Sequence, residues 1–286
     1  MKSIPVLTVQ GKTIPEVWEN SLTALLAYGT EFETQYDKEG DPKSLDCTMN
    51  LTIEEPMTEP MIHRSFPGGP TDLQEYMMEV CDGIKDHWIR DPNNPDDKRW
   101  EYTYHQRLFE YMLVDGMDLI RVNQFEKVCQ KLADSPFTRQ AQMVTWQPWV
   151  DLDCYDPACL QSFWFRIIDQ EDGSGVLCTN VRIRSNDAYK AAFMNIFAFI
   201  MMAQKVADRV SELSGRPIIV GRYNHQADSY HVYGKDIKEF KERFITSIHT
   251  RTFEERTFEY VGMMKDMMIE AIPEIEAKIA RQDNKS

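Results

Sequence analysis

The sequence predicts an α/β protein of the α+β kind, in which paired strands are flanked by helices. Segments of alternating apolar and polar residues cluster in the middle of the chain, and a short polar turn joins two of them as a hairpin. Stretches with apolar residues at helical spacing lie before and after that cluster. A sheet with helices packed around it accommodates both patterns.

The first third of the chain combines short strands, helices and irregular connections. It opens with a strand pattern and continues into a helix over residues 14–28. Residues 36–70 contain many Pro and Gly and predict an irregular segment, interrupted by a strand over residues 47–53. A Thr-Asp pair predicts the start of a helix over residues 71–87, and residues 91–97 predict a polar loop.

The middle of the chain predicts one helix followed by three strands. Residues 118–134 have the pattern of an amphipathic helix, with Ile120 on its apolar side. Strand patterns follow at Gln140–Thr145, Leu160–Ile168 and Gly175–Arg184. The polar turn between the last two predicts a hairpin.

The last third predicts a long buried helix, a strand and a helical tail. The helix spans residues 187–213, and strand character returns over residues 216–235. The tail, residues 236–286, is helical and charged. These patterns complete the prediction of an α+β fold, and none of them by itself indicates a function.

The composition narrows the class of protein. The formal net charge is −14, which argues against a nucleic-acid polymer as partner because such binding needs a basic surface. A small phosphate ligand needs only a few local arginines. No apolar run approaches the roughly 20 residues of a membrane helix, and the N-terminus lacks the pattern of a signal peptide. The sequence therefore predicts a cytoplasmic protein without a membrane partner.

The cysteines do not predict a metal site. Six are scattered along the chain without a C-x-x-C pair or any other zinc-ligand spacing. In a cytoplasmic protein most cysteines are reduced, buried and inert. A special role for any one of them, including Cys159, must therefore come from its surroundings.

Three segments and two later positions carry the chemistry. They are Ser135–Trp146, Tyr155–Phe165, Arg182–Asp187, Asn195 and His231–Tyr233. In this order and at these separations they resemble the thymidylate synthases and their relatives, the deoxypyrimidine monophosphate hydroxymethylases. The resemblance is sparse and is carried by about residues 70–235, so the helical C-terminal segment is divergent.

The resemblance implies a fold, a substrate class and a partner. The fold would be a single domain over residues 1–286, with a bent mixed sheet flanked by helices. The sheet would pack against a second copy of the chain across a two-fold axis, which makes a homodimer. The substrate would be a pyrimidine nucleoside monophosphate, and the co-substrate 5,10-methylenetetrahydrofolate.

Cys159 is the predicted nucleophile. C5 of uracil is a poor nucleophile, and a thiolate that adds to C6 converts the ring to an enolate whose C5 can attack a one-carbon donor. Nearby cations are needed to lower the thiol pKa, and donors are needed where the enolate charge develops. Cys159 follows Pro157 at the start of a predicted strand, where a loop edge can hold it open to a cleft.

The phosphate site is predicted from an R-S-x-D motif. By the resemblance, Arg184 and Ser185 bind the substrate phosphate, and Asp187 lies near the base. A pair of arginines that reaches the partner subunit's phosphate in the family matches Arg139, with Gln140 in the second place. That change removes one positive charge from the predicted site.

Base and sugar contacts are predicted at three positions. The Asn195 carboxamide can donate to O4 and accept from N3–H of uracil, whereas relatives acting on cytosine carry aspartate there, so Asn195 favours uracil. A helix-start asparagine without such a role is the alternative. His231 and Tyr233 match the residues that bind the sugar 3′-hydroxyl, and their spacing puts both on one face of a strand.

Three looser matches complete the predicted site. Glu75 resembles the glutamate that relays protons to the base, although an exposed helical glutamate explains it equally well. Tyr104 resembles the tyrosine near the catalytic cysteine. Trp88 resembles a tryptophan that flanks the folate, with Trp100 and Trp146 as core residues of the same kind.

Departures from the family pattern bear on the product. Histidine usually follows the nucleophile directly, and glutamine stands four positions after that histidine, but this chain has Leu160 and Trp164. The tail that closes over the folate has no recognisable counterpart. Methylation needs water excluded, whereas hydroxymethylation lets water add. The sequence therefore favours a dUMP hydroxymethylase, as in viruses with modified DNA bases, acting in the host cytoplasm.

Other functions remain open on the sequence. A thymidylate synthase that makes dTMP is a close alternative, and a dCMP or CMP hydroxymethylase is another. A catalytically silent nucleotide-binding paralogue is the alternative from a different class. Its weakness is that six dispersed positions serving one ligand are all retained: Cys159, Arg184, Ser185, Asn195, His231 and Tyr233.

Overall fold

The strands and helices follow the hydrophobic pattern of the chain. A computed structural model of the protein describes residues 3–34, 37–90, 94, 96–115 and 118–283. The strands are β1 Val6–Gly11, β2 Thr30–Phe32, β3 Ser44–Ile53, β4 Ile62–His63, β5 Tyr111–Asp115, β6 Asp118–Val122, β7 Ala141–Val144, β8 Leu160–Asp169, β9 Gly175–Asp187, β10 Ile218–Val232 and β11 Thr257–Phe258.

The helices vary from single turns to one long buried helix. They are α1 Ile14–Tyr28, α2 Pro70–Asp82, α3 Tyr104–Phe109, α4 Gln124–Asp134, α5 Pro148–Asp151, α6 Ala192–Ser214, α7 Ile237–Glu239, α8 Thr246–Thr250, α9 Phe253–Arg256, α10 Met263–Glu270 and α11 Ile272–Asp283. Two 3-10 turns lie at Asp86–Trp88 and Gly234–Asp236, and a π-helical turn lies at Phe240–Ile245.

The main sheet is mixed, as predicted. Its strand order is β1-β3-β10-β9-β8-β7, with β2 paired to β3. The β1/β3 and β9/β10 pairs are parallel, and the remaining pairs are antiparallel. The predicted hairpin is confirmed as β8 and β9, whose turn contains Gly173 in a left-handed conformation (φ +85°).

Helices pack on one face of this sheet. The long helix α6 is apolar nearly all round, which is typical of a helix buried between layers. Its aromatic residues Phe193, Phe197 and Phe199 are fully buried, and α1 and α4 lie beside it. The opposite face carries a cross-strand row of part-exposed residues from β8 to β3, namely Trp164, Asn180, Asn224 and Thr52.

The predicted helix over residues 118–134 is wrong in its first part. Residues 118–122 form β6, which pairs with β5, and Ile120 lies opposite Leu113 in that ladder. The helix α4 begins only after Asn123, whose side chain accepts a hydrogen bond from the Glu126 amide at 2.8 Å. Asparagine is a strong N-terminal cap, and this local bond decides the boundary.

Two other helix boundaries move inward. The helix predicted over residues 71–87 ends at Asp82, because Gly83 takes a left-handed conformation (φ +69°). The helix predicted from residue 187 begins at Ala192, after a turn held by the Asp187 side chain. The predicted loop over residues 91–97 falls largely outside the described residues.

The C-terminal segment is helical, as predicted, apart from the short strand β11 paired with β4. It is tied to the first helix by buried charges. Arg256 contacts Glu19 at 2.6 Å, and His63 contacts the other oxygen of the same carboxylate at 3.0 Å. Helices α10 and α11 then pack against α2, where Met78, Ile275 and Ile279 form a small separate apolar cluster.

Candidate active site

A cleft of about 420 Å³ opens where four strand ends meet. In the strand register, Leu160 lies beside Ile183, the end of β9 lies beside the end of β10, and His231 lies beside Asp46 of β3. The cleft therefore collects residues that are far apart in sequence. Its lining residues are Phe32, Glu33, Thr34, Asp46, Asp156, Cys159, Arg184, Ser185, Ser229, His231 and Tyr233.

Cys159 occupies the turn directly before β8. Its carbonyl accepts a hydrogen bond from the Arg184 amide at 2.8 Å, which fixes the turn to β9. Burial raises the pKa of the Cys159 thiol, the Arg184 charge lowers it and Asp156 raises it. Arg184 is thus the cation that favours the reactive thiolate.

Arg184 also holds the loop that carries the cysteine. Its Nε donates to the Ala158 carbonyl at 3.1 Å, and one Nη donates to the Pro157 carbonyl at 2.5 Å. A guanidinium has five N–H donors, so these two bonds leave donors for an anion in the cleft. Ser185 follows on the same strand and lines the cleft beside it.

His231 lines the cleft and carries a buried, unpaired acceptor. Ser229 donates its hydroxyl to Asp46 at 2.6 Å, so it accepts from His231 Nδ1–H at 3.2 Å. The remaining ring nitrogen, Nε2, is then an acceptor, and it is buried without a partner among the described residues. A buried orphan acceptor calls for a donor, and a sugar hydroxyl is one. The Tyr233 ring packs edge-on against His231, with centroids 4.6 Å apart.

Burial is the main influence on the pKa values of Asp46 and His231. Burial raises the pKa of Asp46, although Ser229 and His231 act against the rise. Burial also lowers the pKa of His231, which favours the neutral ring. A neutral imidazole with its proton on Nδ1 fits the hydrogen bonds of Ser229.

A second cleft of about 400 Å³ shares the Asp156 wall with the first. It is lined by Tyr76, Glu79, Arg99, Trp100, Glu101, Tyr102, Thr103, Tyr104 and Asp156. The Tyr104 hydroxyl accepts a hydrogen bond from the Leu160 amide at 3.2 Å, one residue after the cysteine. The structure therefore places the Tyr104 hydroxyl close to the cysteine turn, and its catalytic role stays a prediction.

Asn195 is buried behind the second cleft. Its Oδ1 accepts a hydrogen bond from the Tyr76 hydroxyl, and its Nδ2 donates to Asn186 Oδ1 at 3.0 Å. These bonds use one lone pair of the oxygen and one hydrogen of the nitrogen, so one of each remains for a base. Tyr76 is the residue that links Asn195 to the cleft wall.

Asp187 builds the turn that leads into α6. Its carboxylate accepts hydrogen bonds from the amides of Tyr189 at 3.1 Å and Lys190 at 2.8 Å. Burial raises the pKa of Asp187 to about 6 despite these bonds. Asp187 is absent from the lining of the Cys159 cleft, so its predicted place near the base stays a prediction.

The Glu75 carboxylate is paired with two lysines. Its carboxylate contacts Lys85 at 2.8 Å and Lys278 of α11 at 2.6 Å, and it lines neither cleft. Its role as a proton relay stays a prediction. Glu79, one helical turn later, does line the second cleft, and burial raises the pKa of its carboxyl.

Trp88 lies in a third, more apolar cleft of about 390 Å³. Its ring meets Trp100 edge-on, with centroids 5.4 Å apart, and Lys98 and Arg99 complete the wall together with Gln282 of α11. Because Arg99 and Trp100 also line the second cleft, the two clefts adjoin. Aromatic walls flanked by cations suit a flat ring that carries carboxylates.

Arg139 lies outside the clefts of this chain. It precedes β7, its side chain is exposed, and its carbonyl accepts a hydrogen bond from Trp164 Nε1 at 3.1 Å. The structure therefore does not bring Arg139 together with Cys159 within one chain. A second chain is needed to give it the predicted role.

Several lining residues were not found from the sequence. Asp46 and Ser229 orient His231, and the short strand β2 supplies one wall of the cleft. Asp46 had one usable signal, a carboxylate inside a strand that is otherwise buried. Asp156 lies within the Tyr155–Phe165 segment but was not singled out there. Tyr102 and Glu79 had no such signal, because loop and helix contacts bring them to the second cleft.

The described part of the chain contains neither a metal-binding cluster nor a helix that could span a membrane. No group of three or more His, Cys, Asp or Glu is arranged to hold a metal ion among those residues. Every helix there is too short or too polar to cross a lipid bilayer.

Comparisons with known proteins point in one direction. A sequence model of the thymidylate synthase family matches residues 71–266. A Methanocaldococcus jannaschii protein described as "putative thymidylate synthase" is 26% identical over 245 residues, which cover 84% of this chain and 96% of the relative. A Methanopyrus kandleri protein of the same description is 27% identical over 233 residues, covering 82% and 96%.

The fold agrees with a solved structure. Thermostable thymidylate synthase A from Bacillus subtilis superposes with a TM-score of 0.59 at 15% identity, covering 82% of this chain and 84% of the other. At that identity the likeness concerns the fold. The mixed sheet and its flanking helices are the shared architecture.

Proposed function

The chain belongs to the thymidylate synthase family of one-carbon transferases, and we propose that it acts on C5 of a pyrimidine deoxynucleoside monophosphate, with Cys159 as nucleophile. One observation carries the proposal. The cleft brings together a thiol, a guanidinium beside it and an orphan imidazole acceptor, from segments about 25 and 50 residues apart. These are the groups needed for the base, the phosphate and the sugar of one nucleotide.

Each end of the nucleotide has a partner of suitable chemistry. Arg184 has N–H donors left for the phosphate, and Ser185 adds a hydroxyl. His231 Nε2 can accept from the 3′-hydroxyl of a deoxyribose, with Tyr233 beside it. These contacts would orient the base so that C6 faces the Cys159 sulfur.

The chemistry starts at the thiolate. The Cys159 thiolate adds to C6, a C–S bond forms, and the electron pair of the C5–C6 double bond moves toward O4 as an enolate. Asn195 would hold O4 and N3 through its remaining N–H and lone pair. C5 then forms a bond to the one-carbon unit, whose bond to its carrier breaks. The C5 proton leaves, and expulsion of the thiolate breaks the C–S bond and restores the C5–C6 double bond.

A reduced folate would supply the one-carbon unit when it is bound in the second and third clefts. Trp88 and Trp100 offer ring surfaces, and Lys98 offers a cation for a carboxylate tail. These residues adjoin Cys159 through the shared Asp156 wall. The residues present therefore fit 5,10-methylenetetrahydrofolate as co-substrate.

We propose 5-hydroxymethyl-dUMP as the product. Helices α10 and α11 are anchored on α2 by the Lys278–Glu75 ion pair and by the Met78 cluster. Packed in this way, α11 places Gln282 in the wall of the third cleft, and the described residues of α10 and α11 do not line the Cys159 cleft. Water can then add where family members that methylate must exclude it.

Synthesis of dTMP is the second candidate. The description of the archaeal relatives favours it, since they match this chain over nearly their whole length. A cytosine nucleotide would require the Asn195 amide to face the base in the opposite orientation. A silent nucleotide-binding protein would keep the cleft and lack turnover.

A homodimer would complete the site. Arg139 is exposed just before the edge strand β7, and the face of the main sheet opposite α6 carries a part-exposed row ending in Trp164. We propose that this face packs against a second copy and that Arg139 reaches the partner's phosphate site. The arginine would then restore positive charge that a single chain supplies only through Arg184.

The test follows tritium release from dUMP and dCMP labelled at C5, each with and without methylenetetrahydrofolate. We expect folate-dependent release from dUMP and a product mass that corresponds to the hydroxymethyl nucleotide. A mass that corresponds only to dTMP would replace the proposed product with the second candidate. Binding without release from either nucleotide would contradict the proposed transfer.

A further inference from the structure

A line of buried polar side chains runs from strand β10 to the wall of the second cleft. It consists of Tyr223, His225, Asn186, Asn195 and Tyr76, and we call it the polar relay. Tyr223 and His225 are fully buried, and Asn186 is 2% exposed. Only Tyr76 reaches the cleft lining. Asn195 bonds directly to Tyr76, and the other three residues lie behind Asn195 and can act only through it.

The hydrogen bonds of the relay have one direction. The Asn186 amide nitrogen lies 3.0 Å from His225 Nε2, and an amide nitrogen can only donate, so Nε2 accepts. The ring proton is then on Nδ1, which lies 2.9 Å from the Tyr223 hydroxyl and donates to it. Burial lowers the pKa of His225 to about 3, so the ring is neutral and has a single proton to place.

In the rest of the polar relay, the orientation of each side-chain amide fixes the orientation of its neighbour. Asn186 Oδ1 faces Asn195 Nδ2 at 3.0 Å, and Asn195 Oδ1 faces the Tyr76 hydroxyl. Turning over the Asn195 amide alone would set two oxygens against each other at Asn186. Turning over both amides would set an oxygen against the His225 lone pair. Only a change of the His225 tautomer lets the whole relay reverse.

This coupling matters because uracil and cytosine are mirror images as hydrogen-bonding partners. Uracil accepts at O4 and donates at N3, whereas cytosine donates at N4 and accepts at N3. One orientation of the Asn195 amide matches uracil, and the reversed orientation matches cytosine. Because the relay uses one lone pair and one hydrogen of that amide, the remaining ones keep the same fixed order.

We propose that the polar relay sets the choice between uracil and cytosine by fixing the orientation of the Asn195 amide. The inference rests on the proposed function, in which Asn195 contacts the base. Asn186, His225 and Tyr223 are positioning residues, since none of them reaches the cleft. Tyr223 supports this tautomer, because its hydroxyl is the acceptor that the buried Nδ1 proton needs.

The decisive variant is Tyr223→Phe. Without the hydroxyl, a proton on His225 Nδ1 would be buried without an acceptor, and the Nε2–H tautomer becomes favoured. An Nε2–H group needs an oxygen in front of it, so Asn186 turns over, and Asn195 follows. The base preference should therefore shift toward cytosine. His225→Phe removes the link altogether and should leave the amide free to adopt either orientation.

Tyr230→Phe is the matched control. Tyr230 is an equally buried tyrosine on the same strand, and its hydroxyl bonds to Ser21 at 2.7 Å, outside the relay. It removes the same atom and leaves the tautomer of His225 alone. Thermal melting of the three variants identifies any that are unfolded, and His225→Phe tests the relay if Tyr223→Phe does not fold.

The experiment measures dissociation constants for dUMP and dCMP by calorimetry, and tritium release from both nucleotides in the presence of methylenetetrahydrofolate. We expect the dUMP-to-dCMP preference to fall about tenfold or more in Tyr223→Phe, to approach unity in His225→Phe and to stay unchanged in Tyr230→Phe.

The outcomes separate the relay from the proposed function. An unchanged preference in folded Tyr223→Phe and His225→Phe, with turnover intact, would overturn the relay and leave the function standing. A shifted binding preference without turnover would support the relay and contradict the transfer chemistry. Failure of the unaltered protein to bind either nucleotide would overturn both.

Discussion

The proposed nucleotide side and the proposed folate side of this site are built in different ways. Cys159, Arg184 and His231 stand at strand ends whose register is fixed by the ladders of one sheet. Trp88, Trp100 and Gln282 stand on a 3-10 turn, a loop and a C-terminal helix. Strand register tolerates little change, whereas loops and terminal helices tolerate much.

The difference explains which half of the family pattern survived. Residues for one substrate can persist at strand ends while the surroundings of the other substrate are rebuilt. Under the proposed function, the sheet would determine the reaction class, and the helices and loops would determine the fate of the one-carbon unit. Changes at Cys159, Arg184 and Arg139 test the proposed nucleotide side, and a change at Lys278 tests the proposed folate side and its coupling to dUMP binding.

The largest effect is expected from the nucleophile. Cys159→Ser should lower turnover by about 10⁴-fold or more, because a hydroxyl is far less acidic than a thiol and adds poorly to C6. The dissociation constant of dUMP should change less than about threefold, since phosphate and sugar contacts are untouched. Cys154→Ser, five residues earlier and outside the clefts, is the control. Activity in Cys159→Ser would remove the proposed nucleophile.

The second effect concerns phosphate. Arg184→Ala should weaken dUMP binding about 10- to 100-fold, the usual range for losing a charge-assisted bond. Arg182→Ala is a matched control, because that arginine lies on the same face of β9 and pairs with Asp228 at 3.1 Å. Equal losses in both variants would indicate a general charge effect and no phosphate site. Calorimetric titration with dUMP gives both values.

The third prediction tests whether the two chains of the proposed dimer share an active site. Arg139→Ala should be strongly impaired, and so should Cys159→Ser, yet a mixture of the two should recover activity. Random pairing gives half heterodimers with one intact site each, which is about a quarter of the normal activity. Mixing after mild unfolding and refolding supplies the measurement. No recovery, with heterodimers shown by mass spectrometry, would place Arg139 outside the partner's site.

The fourth effect is on pH dependence. The thiolate is the reactive form, so alkylation of Cys159 by iodoacetamide should rise with pH through a pKa that burial has raised. The Arg184 charge opposes that rise, so Arg184→Gln should move the inflection to higher pH. Each pH unit of displacement corresponds to about a tenfold lower rate below the inflection. Arg184→Lys keeps the charge and should move the inflection less. Identical pH profiles in the unaltered protein and in Arg184→Gln would show that the Arg184 charge does not act on the Cys159 thiol.

The smallest effect tests the folate side. Lys278→Ala removes the ion pair between α11 and Glu75, and part-exposed pairs contribute at most about 1 kcal/mol. We expect the KM for the folate to rise up to about fivefold while the affinity for dUMP is unchanged. Lys265→Ala, exposed on α10, is the control. A change in dUMP affinity instead would show that the two sides are coupled.

Part of the fold could be predicted from local pattern alone. The strand and helix periodicities gave the β8–β9 hairpin, helix α1 and the buried helix α6. The helix prediction was wrong at residues 118–122. Five residues of mixed polarity fit a helix and a strand equally well, and only their pairing with β5 makes them a strand. The Asn123 cap was the local signal that separates β6 from α4.

The site was predictable where a motif stays within one strand or one turn. Arg184 and Ser185 are neighbours on β9, and Cys159 stands directly before β8, so the motifs survive in the sequence as short recognisable runs. Glu75 shows the limit. Its position on a helix fits a proton relay as well as an ion pair, and the structure places two lysines around its carboxylate.

By itself, the sequence determined the family, the nucleophile candidate and the strands that carry it, because these depend on residue type and on spacing along the chain. The tertiary structure decided what surrounds those residues. The proton position on His231, the clamp of Arg184 on the cysteine loop and the direction of the polar relay all depend on atoms brought together from distant segments. Hydrogen-bond direction is a property of paired atoms in space, and no pattern along one chain contains it.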